Sequence, residues 1–170
     1  MATPFAKRRF ITDEKIIREV LEACKIIHIG IQDGDGVYVV PTNYGYTYED
    51  GKPTFFTHGA RSGRKWDLIQ KNPHVGFEID TGFQLVDGGE VPCNFSNAYG
   101  SIIGSGRMSV VEDNEEKCRI MTNMMKVQAD RDFSFTQAMV ESLGVAKIEV
   151  EEFKCKSGYL YKQKQRGWRP

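Results

Sequence analysis

A tight turn between two strand-like runs restricts the possible folds of this chain more than any other feature. Ile27, Ile29 and Ile31 alternate with polar or small residues, which is the period of a β-strand. The turn sequence Asp33-Gly34-Asp35-Gly36 follows, and Val37-Tyr38-Val39-Val40 has the β-branched and aromatic composition of a returning strand. An antiparallel hairpin is therefore expected here, within a fold built mainly from β-strands.

Further strand-like runs follow at hairpin spacing along the rest of the chain. Pro41 marks an edge, a bulge or an opening in the sheet, because proline cannot donate to a β-ladder. Strands and helices do not alternate regularly, which argues against a Rossmann fold. About six strands with few helices predict a mainly β fold with peripheral α-helices, arranged as a small antiparallel barrel. The additional runs are residues 42–48, 54–57, 75–80, 101–111 and 145–152.

Capping residues and apolar periodicity predict four short helices between these runs. Residues 1–10 are expected to form a loose arm, and residues 81–100 a long loop of the kind that is often functional. The helices are one capped by Thr12 and ending near Ala23, one over residues 65–71, and two opened by the capping boxes Asp113-x-x-Glu116 and Ser134-x-x-Gln137.

The charge balance limits the partners that this chain is expected to bind. The 23 Lys and Arg residues equal the 23 Asp and Glu residues, so the formal net charge is zero. This balance argues against a generic polyanion binder, and no nucleic-acid partner is expected. Residues 154–170 are basic without any acidic residue, and they are interpreted as a solvated tail that follows a domain of residues 1–153.

Cysteine spacing and hydropathy indicate the compartment. The four cysteines are scattered and form no CxxC pair, so no metal site is expected and free thiols are predicted. The N-terminal residues lack the apolar core of a secretory signal, and no window approaches the roughly 20 apolar residues that span a bilayer. A cytoplasmic protein without a membrane partner is therefore expected.

The segment from His58 to Lys65 has the composition of an anion-binding loop. It precedes a helix, whose N-terminus offers unpaired N–H groups and a partial positive charge. Gly63 allows an anion to approach the backbone closely, and Arg64 and Lys65 add full charges. The P-loop pattern does not fit, because the glycines are too close together and Trp66 stands where a Ser or Thr would hold magnesium. The alternative interpretation is a basic surface turn.

Three segments, in this order, resemble one known family, the pyridoxamine-5′-phosphate-oxidase-like flavin-binding split barrels. The nearest branch is that of the nitroimidazole-resistance (Nim) proteins, and the likeness runs from about Arg8 to about Glu152. The segments are Val39–Tyr44, then Phe55–His58 with Gly63-Arg64-Lys65 through Asn72-Pro73, then Tyr99–Arg107.

This resemblance implies a six-stranded split β-barrel that forms a homodimer with FMN at the subunit interface. FAD and haem are the less favoured cofactors. The implied activity is an FMN-dependent oxidoreductase that reduces a small electron-poor acceptor such as a nitroaromatic; the alternative is a flavin or haem carrier without turnover. The implied contacts are Val40, Pro41, Thr42 and Asn43 along the flavin ring, Phe56, Thr57, Gly63, Arg64 and Lys65 around the phosphate, and Ser101, Ile102 and Ile103 from the partner subunit.

His58 is the candidate catalytic residue, and it is also a candidate contact to the cofactor. It closes the strand that leads into the anion-binding loop, and the resemblance to Nim proteins implies a functional histidine in this region. The alternative is a strand-end histidine bonded to backbone. Trp66 is expected to pack in the core or in a dimer contact, and Cys93 is expected to be a packed free cysteine rather than a reactive thiol.

Overall fold

The structure, a computed structural model, describes residues 10–157 of the chain. Most of the expected N-terminal arm and the tail from residue 158 onwards lie outside the described residues. The elements in chain order are β1 (Phe10–Ile11), α1 (Glu14–Ala23), β2 (Ile26–Asp33), β3 (Gly36–Asn43), β4 (Gly45–Glu49), β5 (Lys52–Gly59), α2 (Arg64–Lys71), β6 (His74–Val86), a 3₁₀ turn (Pro92–Asn94), β7 (Ser96–Val111), α3 (Asn114–Ala129), α4 (Gln137–Val140) and β8 (Gly144–Ser157).

The prediction of a mainly antiparallel β fold with peripheral helices is confirmed. The hydrogen-bonded strand order is β3-β2-β6-β7-β8-β5-β4, and β1 adds to β8. The described chain has eight strands rather than six. One extra strand arises because Phe10, the last residue of the expected loose arm, and Ile11 after it pair with Lys156 and Cys155. The seven strand-like runs of the sequence are all present, and the boundary between the runs 37–40 and 42–48 lies at the buried Tyr44 rather than at Pro41.

The described chain divides into two compact units. Residues 10–24, 80–102 and 154–157 belong to the first unit, and residues 25–79 and 103–153 to the second. The strands β6, β7 and β8 each contribute residues to both. The predicted anion-binding loop lies in the second unit.

The predicted hairpin is present in the second unit. Asp33 pairs with Gly36, and Gly34 between them has a φ of 60°, which glycine adopts without strain. In the described sheet β3 pairs with β2 alone, so Pro41 does lie on an edge strand. The three alternating isoleucines of β2 are fully buried, which explains why this strand has its period of two.

The helix α3 covers one face of the second unit at β4 and β5. Met121 and Met124 are buried in its hydrophobic cluster, as the apolar periodicity predicts. Gly45 on β4 permits this packing, because a Cβ there would lie 2.5 Å from Asn123 Oδ1 and 2.8 Å from Met124 Cγ. The close contact between this strand and the helix therefore depends on a glycine.

The N-cap residues of the helices can be compared with the capping residues predicted from sequence. Asp113 caps α3 as predicted, since its Oδ1 accepts a hydrogen bond from the Glu116 backbone N–H at 2.7 Å. The cap of α1 is Asp13 rather than Thr12, and Asp13 Oδ1 accepts from Lys15 N at 2.9 Å. The cap of α4 is Thr136 rather than Ser134. Adjacent residues with similar capping ability explain both errors.

The long loop predicted over residues 81–100 is mostly strand. The strand β6 continues to Val86 and β7 begins at Ser96, so only the segment between them is irregular. Cys93 is exposed in this segment rather than packed. Leu85, near the end of β6, is exposed, so it does not contribute to a buried apolar face of the kind that an apolar period indicates.

The last strand runs to Ser157, beyond its expected end at Glu152. Lys154 and Lys156 therefore lie in β8, and their ammonium groups stand over the Phe10 ring at 5.5 Å and 5.3 Å. No disulfide forms within the described residues, which include all four cysteines. In that same part of the chain, no helix combines the length and apolarity needed to cross a membrane.

Candidate functional site

The predicted anion-binding loop, residues 58–65 at the connection between β5 and α2, has the geometry of a cradle for an anion. Gly63 is the N-cap of α2 with a φ of 128° and a ψ of 174°, a conformation essentially restricted to glycine. A Cβ placed there would meet nothing within 4 Å. No side chain in the described part of the chain caps the helix, and Trp66 and Asp67 both donate their backbone N–H to Gly63 O. The first N–H groups of the helix, at Arg64 and Lys65, have no hydrogen-bond partner within residues 10–157 and are available to an anion.

Two consecutive residues at the end of β5 carry buried polar atoms that lack a partner. Thr57 Oγ1 and His58 Nδ1 are buried, and neither forms a hydrogen bond with any described residue. The pairing of β4 with β5 stops at Phe56, whereas β8 pairs with β5 as far as Gly59. One edge of β5 beside these residues is therefore not paired with any strand of residues 10–157. Buried polar atoms without partners are uncommon in folded proteins and are consistent with a missing ligand.

Lys65 is a cation without an acidic partner in the described chain. Its ammonium lies 4.4 Å from the centre of the Trp66 ring, and burial lowers the pKa of Lys65 below its ordinary value. The aromatic face holds the ammonium without neutralising it. Because a half-buried cation is costly to leave unpaired, an anion that enters the cradle is stabilised by Lys65.

The environment of His58 favours its neutral form. Burial, and secondarily the charge of Lys65, lower the pKa of His58. A neutral imidazole has one donor nitrogen and one acceptor nitrogen. The expected alternative, a histidine bonded to backbone through a ring nitrogen, is not seen at Nδ1, which has no partner in the region described.

Arg64 does not point its guanidinium into open space. Its Nε donates to Asp33 Oδ2 at 2.7 Å and its Nη2 donates to the same oxygen. The guanidinium also lies 4.9 Å from the centre of the Tyr38 ring. The first residue of α2 is thereby tied to the turn between β2 and β3 and to β3 itself.

The predicted ring-contact segment follows Tyr38 along β3. Val40 and Thr42 are half-buried, while Pro41 and Asn43 are exposed. The amide of Asn43 is already engaged, because its Nδ2 donates to Gln128 Oε1 at 3.1 Å and more weakly to Lys25 O at 3.4 Å. The strand β3 also contacts β5, the strand that carries Thr57 and His58.

The remaining predicted residues have distinct positions. The Phe56 side chain packs against the hydrophobic cluster beneath α3 and so has a role in the core. On β7, Ser101 is half-buried and Ile102 is fully buried, and both belong to the first unit. Ile103 belongs to the second unit and is exposed.

Asp33, Tyr38 and Trp66 contact the two loop cations, and sequence analysis assigned none of them to the site. The sequence predicts Asp33 only as a turn residue and Trp66 only as a packing residue. Trp66 is indeed buried, and its ring also contacts the Lys65 ammonium. No local pattern connects Asp33 with Arg64, because the two are 31 residues apart in the chain. Their contact depends on how β2 and α2 pack.

The fold and the loop together define a class: an antiparallel β protein with a helix N-terminus and a lysine arranged for a phosphate-like anion. Residues 13–156 match the family model described as pyridoxamine 5′-phosphate oxidase, and the chain belongs to this family. A search of curated proteins gave no significant match.

Several solved structures are similar to this one. A candidate 5-nitroimidazole antibiotic resistance protein from Bacteroides thetaiotaomicron is 28% identical with a TM-score of 0.73, over 87% of this chain and 86% of that one. The flavocytochrome Anf3 from Azotobacter vinelandii is 19% identical with a TM-score of 0.72, over 92% of this chain and 72% of that one. A FAD and haem binding protein from Mycobacterium smegmatis is 11% identical with a TM-score of 0.70, over 88% of this chain and 73% of that one. The last two identities establish a common fold only.

Proposed function

We propose that this protein is an FMN-dependent oxidoreductase that reduces a small electron-poor acceptor such as a nitroaromatic compound. The observation that carries the proposal is the cradle around Gly63. There Lys65, a half-buried cation without an acidic partner among the described residues, lowers the pKa of His58. Thr57 and His58 supply two of the three buried side-chain polar atoms that have no partner in the described chain. A phosphate monoester with a polar ribityl chain would satisfy all of these groups. The 28% identity to a candidate nitroimidazole resistance protein supports the choice of acceptor.

The residues of the site fit the parts of FMN. Lys65 and the first N–H groups of α2 would hold the phosphate, because an anion is stabilised by both the charge and the helix terminus. Thr57 and His58 would bond the ribityl chain or the polar ring edge. Val40 and Pro41 would flank the ring, and bound FMN would supply the hydride and electron chemistry.

His58 is the proposed catalytic residue. The lowered pKa of His58 favours its neutral form, which can accept a proton or donate a hydrogen bond at Nδ1, depending on its tautomer. It lies where α2 and β5 meet, so a ligand held by Lys65 is within the same region. We propose that His58 orients the acceptor or the cofactor and moves a proton when the acceptor is reduced.

A second copy of the chain is the proposed partner. The edge strand β3 presents Val37 and Val39 to solvent with 69% and 56% of their surface exposed, and Pro41 follows in the same row. Exposed β-branched residues on an edge strand favour association. A homodimer that covers this row would place Ser101, Ile102 and Ile103 of the partner subunit against the flavin, as the family resemblance implies.

Flavin uptake tests the proposal directly. The purified protein, at micromolar concentration, is titrated with FMN and with riboflavin, and ring fluorescence and the visible spectrum are recorded. We expect FMN to bind in preference to riboflavin, because only FMN has the phosphate. A protein that takes up neither flavin under these conditions would overturn the assignment.

Reduction separates an enzyme from a carrier of flavin or haem. The FMN-loaded protein is mixed anaerobically with NADH or NADPH and then with a nitroaromatic acceptor. We expect bleaching of the flavin by the donor and recovery of its colour on addition of the acceptor. Bound flavin that neither reductant bleaches would favour the carrier, and uptake of haem with a Soret band in place of FMN would favour a haem protein.

A further inference from the structure

The Asp33–Arg64 pair uses the donors that a phosphate would need. Arg64 Nε and Nη2 both point to Asp33 Oδ2, and these two groups form the face of a guanidinium that binds a phosphate through two parallel hydrogen bonds. The Tyr38 ring, 4.9 Å away, supports the guanidinium in this orientation. Arg64 is therefore not available to a phosphate in the cradle until Asp33 gives up the contact.

The position of the pair makes exchange physically reasonable. Arg64 is the first residue of α2 and adjoins both Gly63 and Lys65, so its long side chain can reach the cradle by rotation. The Arg64 side chain is 65% exposed and that of Asp33 is 27% exposed. An ion pair this open to solvent shifts an equilibrium by only about five-fold or less. A bidentate contact to a phosphate dianion is stronger than this, so the phosphate can displace the carboxylate.

We propose that Asp33 is an internal anion that competes with the ligand phosphate for Arg64, and so sets the preference of the site for phosphorylated ligands. This inference rests on the proposed function. With Asp33 engaged, the cradle offers one full cation, Lys65; with Arg64 released, it offers two. Asp33 thus reduces the affinity for FMN and leaves the affinity for riboflavin, which has no phosphate, unchanged.

The test compares two neutralised aspartates of the same turn. Asp33→Asn removes the competing charge, whereas Asp35→Asn removes an equal charge from an exposed neighbour with no described contact to Arg64. Dissociation constants for FMN and riboflavin are measured for the wild type and both variants by flavin fluorescence. We expect Asp33→Asn to bind FMN about two- to five-fold more tightly, with riboflavin binding unchanged. Asp35→Asn should match the wild type.

A third variant links the effect to Arg64. In the Arg64→Ala background, Asp33→Asn should no longer alter FMN binding, because the group for which Asp33 competes is gone. Asp33→Ser repeats the charge removal with a different side chain and should reproduce the gain.

Each other result has a definite meaning. Weaker FMN binding in Asp33→Asn, or equal shifts in the Asp33 and Asp35 variants, would overturn the inference while leaving the proposed function in place. A gain that persists in the Arg64→Ala background would also overturn it. Failure of the wild type to bind either flavin would overturn the proposed function, and the inference with it.

Discussion

Two adjacent cations, Arg64 and Lys65, have opposite environments. Arg64 is paired with a carboxylate and supported by Tyr38, whereas Lys65 is half-buried over Trp66 without an acidic partner in the described chain. From residue type alone, Arg64 and Lys65 are equally good candidates to bind a phosphate. The structure makes Lys65 the stronger candidate, because its charge is not neutralised.

The first prediction follows from this difference. Lys65→Ala should weaken FMN binding about 10- to 100-fold, the effect of losing one charge-assisted hydrogen bond, while riboflavin binding changes little. Arg64→Ala should have a smaller effect, because that cation is already paired. Lys71→Ala, in the last turn of the same helix, is the control for a change in overall charge. Titration by flavin fluorescence decides, and a larger loss in Arg64→Ala than in Lys65→Ala would contradict the assignment.

The second prediction concerns pH and His58. Its folded-state pKa is lowered from the ordinary value of 6.5, so the unfolded chain binds more protons than the folded chain below that pH. The contribution of a neutral His58 to stability is therefore present above about pH 6.5 and is lost as the pH falls. Urea unfolding of the wild type should show a decline from pH 7.5 to pH 5.5 that is smaller in His58→Gln.

The matched control for His58 is the exposed His74. His74→Gln should retain the decline of the wild type, because the Nε2 of this residue contacts Arg107 at the surface and the side chain is open to solvent. An unchanged decline in His58→Gln would mean that other groups dominate the acid response.

Elements rather than single residues determine where the cradle opens. The strand β5 ends at Gly59, and α2 begins only after Gly63 takes its unusual conformation. The free edge of β5 beyond Phe56 leaves space next to that helix start. The cradle thus forms where β5 extends beyond the end of its pairing with β4, and where α2 begins without a side-chain cap from the described residues.

The third prediction tests the conformation of the loop. Gly63→Ala should lower the free energy of unfolding by about 1–3 kcal/mol, because its φ of 128° lies in a region that side chains avoid. FMN binding should weaken as well, because a relaxed loop reorients the N–H groups of α2. Gly51→Ala, also at a positive φ of 76° with open space around it, should cost stability without affecting FMN. Urea unfolding and flavin titration distinguish the two variants, and unaltered FMN binding in Gly63→Ala would contradict the role of the loop.

Local elements were largely predictable from sequence. The hairpin at Asp33–Gly36, the Asp113 cap and the helix after Gly63 rest on interactions between residues near in the chain, so short patterns encode them. The sequence predicts strands over residues 75–80 and 101–111, but not the extension of β6 to Val86 or the start of β7 at Ser96, where no clear apolar period is present. Two contacts of predicted site residues were also not predictable from sequence, because they depend on tertiary packing. They are the hydrogen bond of Asn43 with Gln128 and the ion pair of Arg64 with Asp33.

At the scale of the whole molecule, the proposed homodimer would decide whether the site is complete. Within the described chain the β3 edge has no covering strand, and its apolar row faces solvent. A single chain therefore presents the predicted ring-contact segment at an open boundary. We infer that the flavin ring is enclosed only when a second copy is present.

The fourth prediction tests this dependence. Val39→Lys should convert the proposed dimer to a monomer in sedimentation velocity, because a charge on an edge strand opposes association. FMN binding should weaken in parallel. Met139→Lys introduces the same charge at another exposed apolar position, on α4, and should leave both properties unchanged. A wild type that is monomeric and still binds FMN fully would contradict the interface.

The placement of Lys65 over Trp66 makes the cradle observable without a label. The indole ring is buried and has an ammonium 4.4 Å from its centre, so its emission responds to any change in that charge or its position. An anion that draws Lys65 away from the ring alters the local field at the indole. A flavin nearby would in addition accept its excitation energy. In a Trp168→Phe variant, which removes the other tryptophan of the chain, occupancy of the phosphate position and of the ring position can therefore be followed as two separate signals from one side chain.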